Sequence, residues 1–363
     1  MKTGLSFYFS SGLEKNKEIL QKAIAHKAQY LFTSLHIPEE EGIEYRQAIS
    51  EILEICREGN LKLIVDVGPE TLDKLGVSTV EALEPLGIEY IRLDYGFSAQ
   101  ETVALSHKFN VVFNASTITE HEIDEWREAG ADFRRFAACH NYYPKQHSGL
   151  SIQRVMEINL RLKALGFTTM AFIPGDLMMR GPLGEGLPTV EKHRLQKDEV
   201  ALNMLELFRD GMCDIVMVGD VDLTDRSWHA FSCLSDDYVE LRAQISPEYE
   251  FVRDIIHHDR PDSSDMIFRS QESRFYKMEI PPETQKEGHS STVSITGWNQ
   301  ADRQGGSISI SNQKYLRYMG ELEIARVNLP GDERMNHIGE IHEEDRKYLP
   351  YIRNGLGIKL IPS

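Results

Sequence analysis

From residue 3 to about residue 220 the chain alternates short apolar runs with amphipathic stretches. The runs are GLSFYF, YLFTSLHI, KLIVDVG, YIRLDYG, VVFNAST, FRRFAACHN, TMAFIPGD and DIVMVGD, eight in all. Between them, GLEKNKEILQKAIAHKA, EYRQAISEILEICREGN, SIQRVMEINLRLKALG and DEVALNMLELFRDG carry apolar residues at helical spacing, with Gly close to several C-terminal ends. Eight strand–helix units in about 220 residues predict a (β/α)8 barrel rather than an open doubly wound sheet. No GxGxxG follows the first strand, so the dinucleotide-binding sign is missing.

Beyond SWHAFSCLSDD the texture changes to short β-rich runs, MIFRSQ, STVSITGW, GSISIS and ELEIARVNL, broken by RPDSSD, PPETQKEG and RQGG. This pattern predicts a small all-β barrel. The expected organisation is an α/β chain with a (β/α)8 barrel over residues 1–240 and a β-barrel over 247–363. The boundary is expected near Leu241 to Pro247.

In a (β/α)8 barrel the lower strand positions fill the core and the reactive groups lie at the C-terminal strand ends. The polar residues late in each run are therefore the candidates: His36, Asp66, Arg92, Asp94, Asn114, Ser116, His140, Asn141, Asp176 and Asp220. Buried polar groups cost free energy unless paired, so polar residues from so many strands argue for a site. In YIRLDYG the strand period sets Tyr90, Arg92 and Asp94 on one face; with Ile91, Leu93 and Tyr95 against the helices, the polar set points into the barrel. The bland alternative is that Arg92 and Asp94 only pair with neighbours at the barrel top, and that Asp66 and Asp220 are rim hydrogen-bond acceptors.

The segment after the seventh strand, PGDLMMRGPLGEGLPTVEKHR, carries four glycines, Arg180 and Glu185. Long loops at this rim are commonly lids or substrate loops, and glycine amides there can face an anion. A plain surface loop is the competing reading.

A net charge of -17 argues against a nucleic-acid or anionic-membrane partner, so an anionic small molecule would need a local arginine cluster. No HExxH, HxH or histidine triplet is present, and no metal or other cofactor is expected. His257 and His258 are expected to be solvated. The four cysteines are far apart without a CxxC and read as reduced core residues. With no secretory signal and no apolar run near the length of a membrane span, a cytoplasmic protein is expected. Nothing in the sequence speaks to oligomeric state.

The stretches GLSFYFS, LFTSLHIPEE, IRLDYGF, FNASTIT, ACHNYYP, the PGD…RGPLGEGLPTVEKHR loop, VGD and RYMGELEI together resemble the bacterial 6-phospho-N-acetylmuramidases. That resemblance spans the chain and implies a barrel followed by a cyclophilin-like β-domain. It implies hydrolysis of the β-1,4 bond of the disaccharide N-acetylmuramic acid 6-phosphate–N-acetylglucosamine during cell-wall recycling. Glycoside hydrolysis needs two carboxyl groups, one protonated and one anionic. By position, Asp94 beside Arg92 is the expected anion, and Glu185 or Asp176 the expected acid. His36, Asn114, His140 and Asn141 are expected to orient hydroxyl and acetamido groups, and Arg180 with Arg269 to meet the phosphate or the lactyl carboxylate. Two other readings stay open: a sugar-phosphate aldolase or isomerase, and a non-enzymatic sugar-phosphate sensor. The eight strands offer no late lysine for a Schiff base.

Overall fold

The computed structural model describes residues 1–34, 45–67, 71–72, 76–93, 96–275, 280 and 302–363. Eight parallel strands close into a barrel in chain order. They are β1 (Lys2–Ser6), β2 (Tyr30–Thr33), β3 (Lys62–Val67), β4 (Tyr90–Leu93), β5 (Asn110–Asn114), β6 (Phe136–Cys139), β7 (Thr168–Ile173) and β8 (Ile215–Val218). Pairing of β1 with β8, Gly4 opposite Met217, completes the ring. Around it lie α1 (Leu13–Ala25), α2 (Tyr45–Glu58), α3 (Ala99–Ser106), α4 (Glu120–Glu128), α5 (Ile152–Leu165), α6 (Val200–Arg209) and α7 (Asp225–Ser235). Local sequence sets the helix ends. Capping boxes Ser98/Glu101 and Thr119/Glu122 start α3 and α4, satisfying amides that would otherwise lack partners.

Strand periodicity decides what reaches the mouth. Tyr30, Phe32, Ile64, Val112, Ala137, Cys139, Met170, Phe172, Ile215 and Met217 form one buried cluster, on which Tyr90 and Tyr142 pack. Two residues beyond Ile64, Tyr90 and Cys139, on the same face, stand Asp66, Arg92 and Asn141. His140 has the opposite parity and faces the helices.

The chain divides into units Met1–Asp236 and Asp237–Ser363. This break precedes the stretch expected from sequence texture, because Tyr238–Ile245 is already a strand of the second sheet, bonded to Met335–Ile341 and Gly357–Pro362. The second sheet has seven described strands: β9 (Tyr238–Ile245), β10 (His257–His258), β11 (Ile267–Arg269), β12 (Ser307–Ser311), β13 (Leu322–Ala325), β14 (Met335–Ile341) and β15 (Gly357–Pro362). They are antiparallel except for the β9–β15 pair. Phe268, Ile308, Ile310, Leu322 and Ile324 are fully buried in its core. One expectation fails in this unit: His257 is buried, not solvated, its ring nitrogens bonded to Ser270 Oγ at 2.8 Å and the Val252 carbonyl at 2.7 Å. All four cysteines are free and buried. Among the described residues no helix is long and apolar enough to cross a membrane.

Candidate active site

At the mouth of the barrel Arg92 lies over the Phe32 ring, 5.8 Å from its centroid. Its guanidinium donates to Asp66 Oδ1 at 3.2 Å and, by a second nitrogen, to Asn141 Oδ1. Strands β3 and β4 and the segment just after β6 thus bring three polar side chains to one point at the mouth. Burial works against the charge on Arg92, but Asp66 beside it outweighs that and holds the guanidinium pKa up. Both side chains keep some exposure, 17% and 11%, so the pair borders the opening rather than the core.

A second group lies on the β1 side. Tyr8 continues the inward parity of β1 and is fully buried, donating its phenol proton to the Gly219 carbonyl. The Arg180 guanidinium stacks on its ring, 4.1 Å from the centroid. Tyr142 links the two groups: it packs edge-on against Phe32 and Phe172, and its hydroxyl bonds to that of Tyr8. Burial raises the pKa of both phenols, keeping them neutral donors.

The segment after β7 is organised from within. Asp220, at the end of β8 and fully buried, accepts from the amides of Gly175, Arg180 and Leu187, each at 2.9 Å. Burial raises its pKa, and the three amides only partly offset that. The expected anion cradle therefore exists, but its anion is the protein's own carboxylate. Both oxygens of Asp220 serve the loop backbone, so this residue fits the rim hydrogen-bond-acceptor alternative rather than the substrate-binding role. Two glycines permit the close approach. Gly186 has φ +90, and a Cβ there would meet Pro174 Cβ at 3.1 Å; one on Gly219 would meet the Leu187 carbonyl at 2.5 Å.

The remaining candidates separate clearly. Asp176 is occupied at the start of α7: it accepts from Thr224 N and Oγ1, both at 2.8 Å, and from Ser227 Oγ at 2.6 Å. That is a helix-terminus role rather than an acid poised at the mouth. His140 is fully buried and bonded through Nε2 to Asn159 Oδ1 of α5 at 2.9 Å, behind the barrel wall. Burial pulls its pKa down to about 4, and its ring faces α5 rather than the mouth, against the expected orienting role. Asn114 folds back on its own turn, accepting from Ser116 N at 3.1 Å. Glu185 is exposed, between Gly184 and Gly186. Arg269 lies in the second unit, where it donates to Glu321 Oε1 at 2.7 Å. Asp94 and His36 lie outside the described residues.

Sequence reasoning passed over Tyr8, Tyr142, Thr189, Glu191 and Arg194. Parity would have found Tyr8, which follows Gly4 and Ser6 on the inward face, and Tyr142 stands inside the quoted ACHNYYP. Arg194 and Glu191 carried only an i,i+3 charge pairing, which is common on surfaces.

Two family models cover nearly the whole chain: the N-terminal part of 6-phospho-N-acetylmuramidase over residues 3–233 and the C-terminal part over 238–361. The chain belongs to the 6-phospho-N-acetylmuramidase family. The family name is that of a glycosidase. Among solved structures, a conserved Enterococcus faecalis protein of unknown function is 31% identical with a TM-score of 0.71, covering 100% of this chain and 97% of that one. An uncharacterised B. cereus protein shares the fold at 23% identity and a TM-score of 0.70, with 99% of each chain covered. No curated protein matches the chain. For a 6-phospho-N-acetylmuramidase family member, the mouth described above offers two arginines, a carboxylate, an amide and the Tyr142 phenol beside an aromatic wall. Such a set can bind an anionic sugar by hydrogen bonds and ring contacts.

Proposed function

We propose that this family member hydrolyses the β-1,4 bond between N-acetylmuramic acid 6-phosphate and N-acetylglucosamine, releasing the two sugars in the course of cell-wall recycling in the cytoplasm. The observation that carries this reading is the Asp66–Arg92–Asn141 cluster at the mouth of a barrel whose whole length fits the family. The substrate bears a phosphate and a lactyl carboxylate, and the cations offered to them are Arg92 and Arg180. Because Asp220 fills the amide cradle between β7 and β8, the substrate's anionic groups are left to these side chains.

Bond cleavage needs a proton for the leaving O4 of the glucosamine and an anion facing the muramic C1. Glu185, on the exposed rim, is the acid in this proposal. Asp94, two residues after Arg92 in the sequence, is the anion, acting as nucleophile or as base toward water. Asn141 and Tyr142 hold hydroxyl or acetamido groups through neutral hydrogen bonds in this proposal.

The test is to offer the disaccharide with and without its phosphate and follow the products by mass spectrometry. Release of both sugars from the phosphorylated form, much slower from the other, is expected. Binding without cleavage over long incubation overturns the reading in favour of a sensor.

A further inference from the structure

The segment between β7 and α6 is held from two sides by opposite charges. Asp220 takes its amides, as described. Arg194, with 7% of its side chain exposed, takes its carbonyls: Nη1 donates to Glu185 O at 3.2 Å and Gly186 O at 2.9 Å. The same guanidinium donates through Nη2 to Tyr143 O at 2.5 Å in the loop after β6. Its Nε meets Glu191 Oε1 at 2.9 Å, and the Glu191 carboxylate in turn accepts from His147 N at 3.0 Å and Gly149 N at 2.8 Å. Arg194 first, and those two amides with it, bring the Glu191 carboxyl down to about 2, so this ion pair stays formed at any working pH.

The two loops are also stitched directly. Tyr143 N donates to Pro188 O, Leu150 N to Thr189 O and Glu191 N to Leu150 O. Thr189 closes the seam: its hydroxyl accepts from Phe172 N of β7 and donates to Asn141 O, the backbone of the residue that bonds Arg92. A segment so bonded cannot swing as one piece without breaking several charge-assisted hydrogen bonds at once, those to Asp220 buried.

We propose that Arg194 and Asp220 are positioning residues that fix Glu185 at the rim before substrate arrives, making the segment after β7 a rigid platform rather than a closing lid. This rests on the reading of Glu185 as the acid. Neither residue touches the substrate; each acts through the backbone on either side of Glu185.

Two measurements on the full chain test it. In the wild-type protein, hydrogen–deuterium exchange is followed at the amides of Gly175, Arg180 and Leu187 with and without N-acetylmuramic acid 6-phosphate. A platform shows these amides protected already in the free protein, with little change on binding; protection gained only with the sugar overturns it. In the second, folded Arg194→Ala is expected to lose about 100-fold in kcat at nearly unchanged KM, the effect of misplacing a reacting group by about an ångström. Added guanidinium ion should restore part of that loss, which a purely structural defect would not allow. Arg194→Lys, which keeps charge but loses the fork, should fall between the two. Wild-type kcat in either variant, with Glu185→Gln inactive, sinks the clamp alone. Wild-type turnover in Glu185→Gln sinks the acid assignment, and the clamp then has no acid to position.

Discussion

At the ends of β3, β4 and β6 the polar side chains bond to one another, Arg92 to Asp66 and Asn141. At the ends of β7 and β8 they serve the protein's own backbone and helix start instead, Asp220 accepting from three amides and Asp176 from the amide of Thr224 and the hydroxyls of Thr224 and Ser227. The residue types are alike, but the consequences differ. A network of side chains can exchange partners with an arriving ligand while the chain stays where it is. Carboxylates that satisfy main-chain amides have no such freedom, since withdrawing them leaves buried N–H groups without partners. In the proposed site the first group would face the sugar through its side chains, whereas Asp220 holds the backbone around Arg180 and Glu185 and Asp176 holds the start of α7.

The sharpest way to break this contrast is Arg92→Met. If the β3–β4–β6 side binds the reacting sugar, kcat/KM falls about 10³-fold, about 4 kcal/mol, as expected when one partner of a hydrogen-bonded charge pair is truncated. The protein should stay folded, because Asp66 left alone retains contact with water. Steady-state kinetics beside a thermal melt decide it; a loss below tenfold in folded protein would remove Arg92 from the site.

His140 sharpens the contrast between the two parities of one strand. It is neutral behind the wall, with its pKa down to about 4 because of burial. In the unfolded chain the imidazole titrates near its ordinary 6.5. Between those values the unfolded state binds the proton and the native state does not, so stability rises with pH there and is lost as pH falls. The loss from pH 6.5 to 4 amounts to about 3 kcal/mol. Urea titrations across that range should show this slope in the wild type and a weaker one in His140→Gln. Equal slopes would mean that His140 does not carry the effect, while kcat at neutral pH should change little.

The same two strands show what the sequence could and could not reveal. The barrel was legible because eight apolar runs alternate with helical periods, and Asp66, Arg92 and Asn141 because each follows a core residue by two. His140 was misassigned by adjacency: next to Asn141 it looked like a rim residue, though the parity of Ala137, Cys139 and Asn141 already excluded it. Asp176 and Asp220 were beyond reach for another reason. An aspartate that serves a ligand and one that serves main-chain amides look alike in a sequence, and only the path of the intervening loop tells them apart. Arg194 was hidden likewise, since its partners are mostly carbonyl groups, which every residue has.

The smallest expected effect belongs to Asp176, and it separates the two halves of the mouth most cleanly. Its carboxylate secures Thr224, the residue that caps α7 through Ser227 N. Asp176→Ala therefore removes an anion and hydrogen bonds from a helix N-terminus, a change worth about 1–2 kcal/mol of stability. For a unit of this size that is a drop of a few degrees in Tm, with kcat/KM on the phosphorylated disaccharide staying within a few-fold of the wild type. If instead the variant melts normally but no longer turns over, Asp176 works on substrate itself rather than on the start of α7.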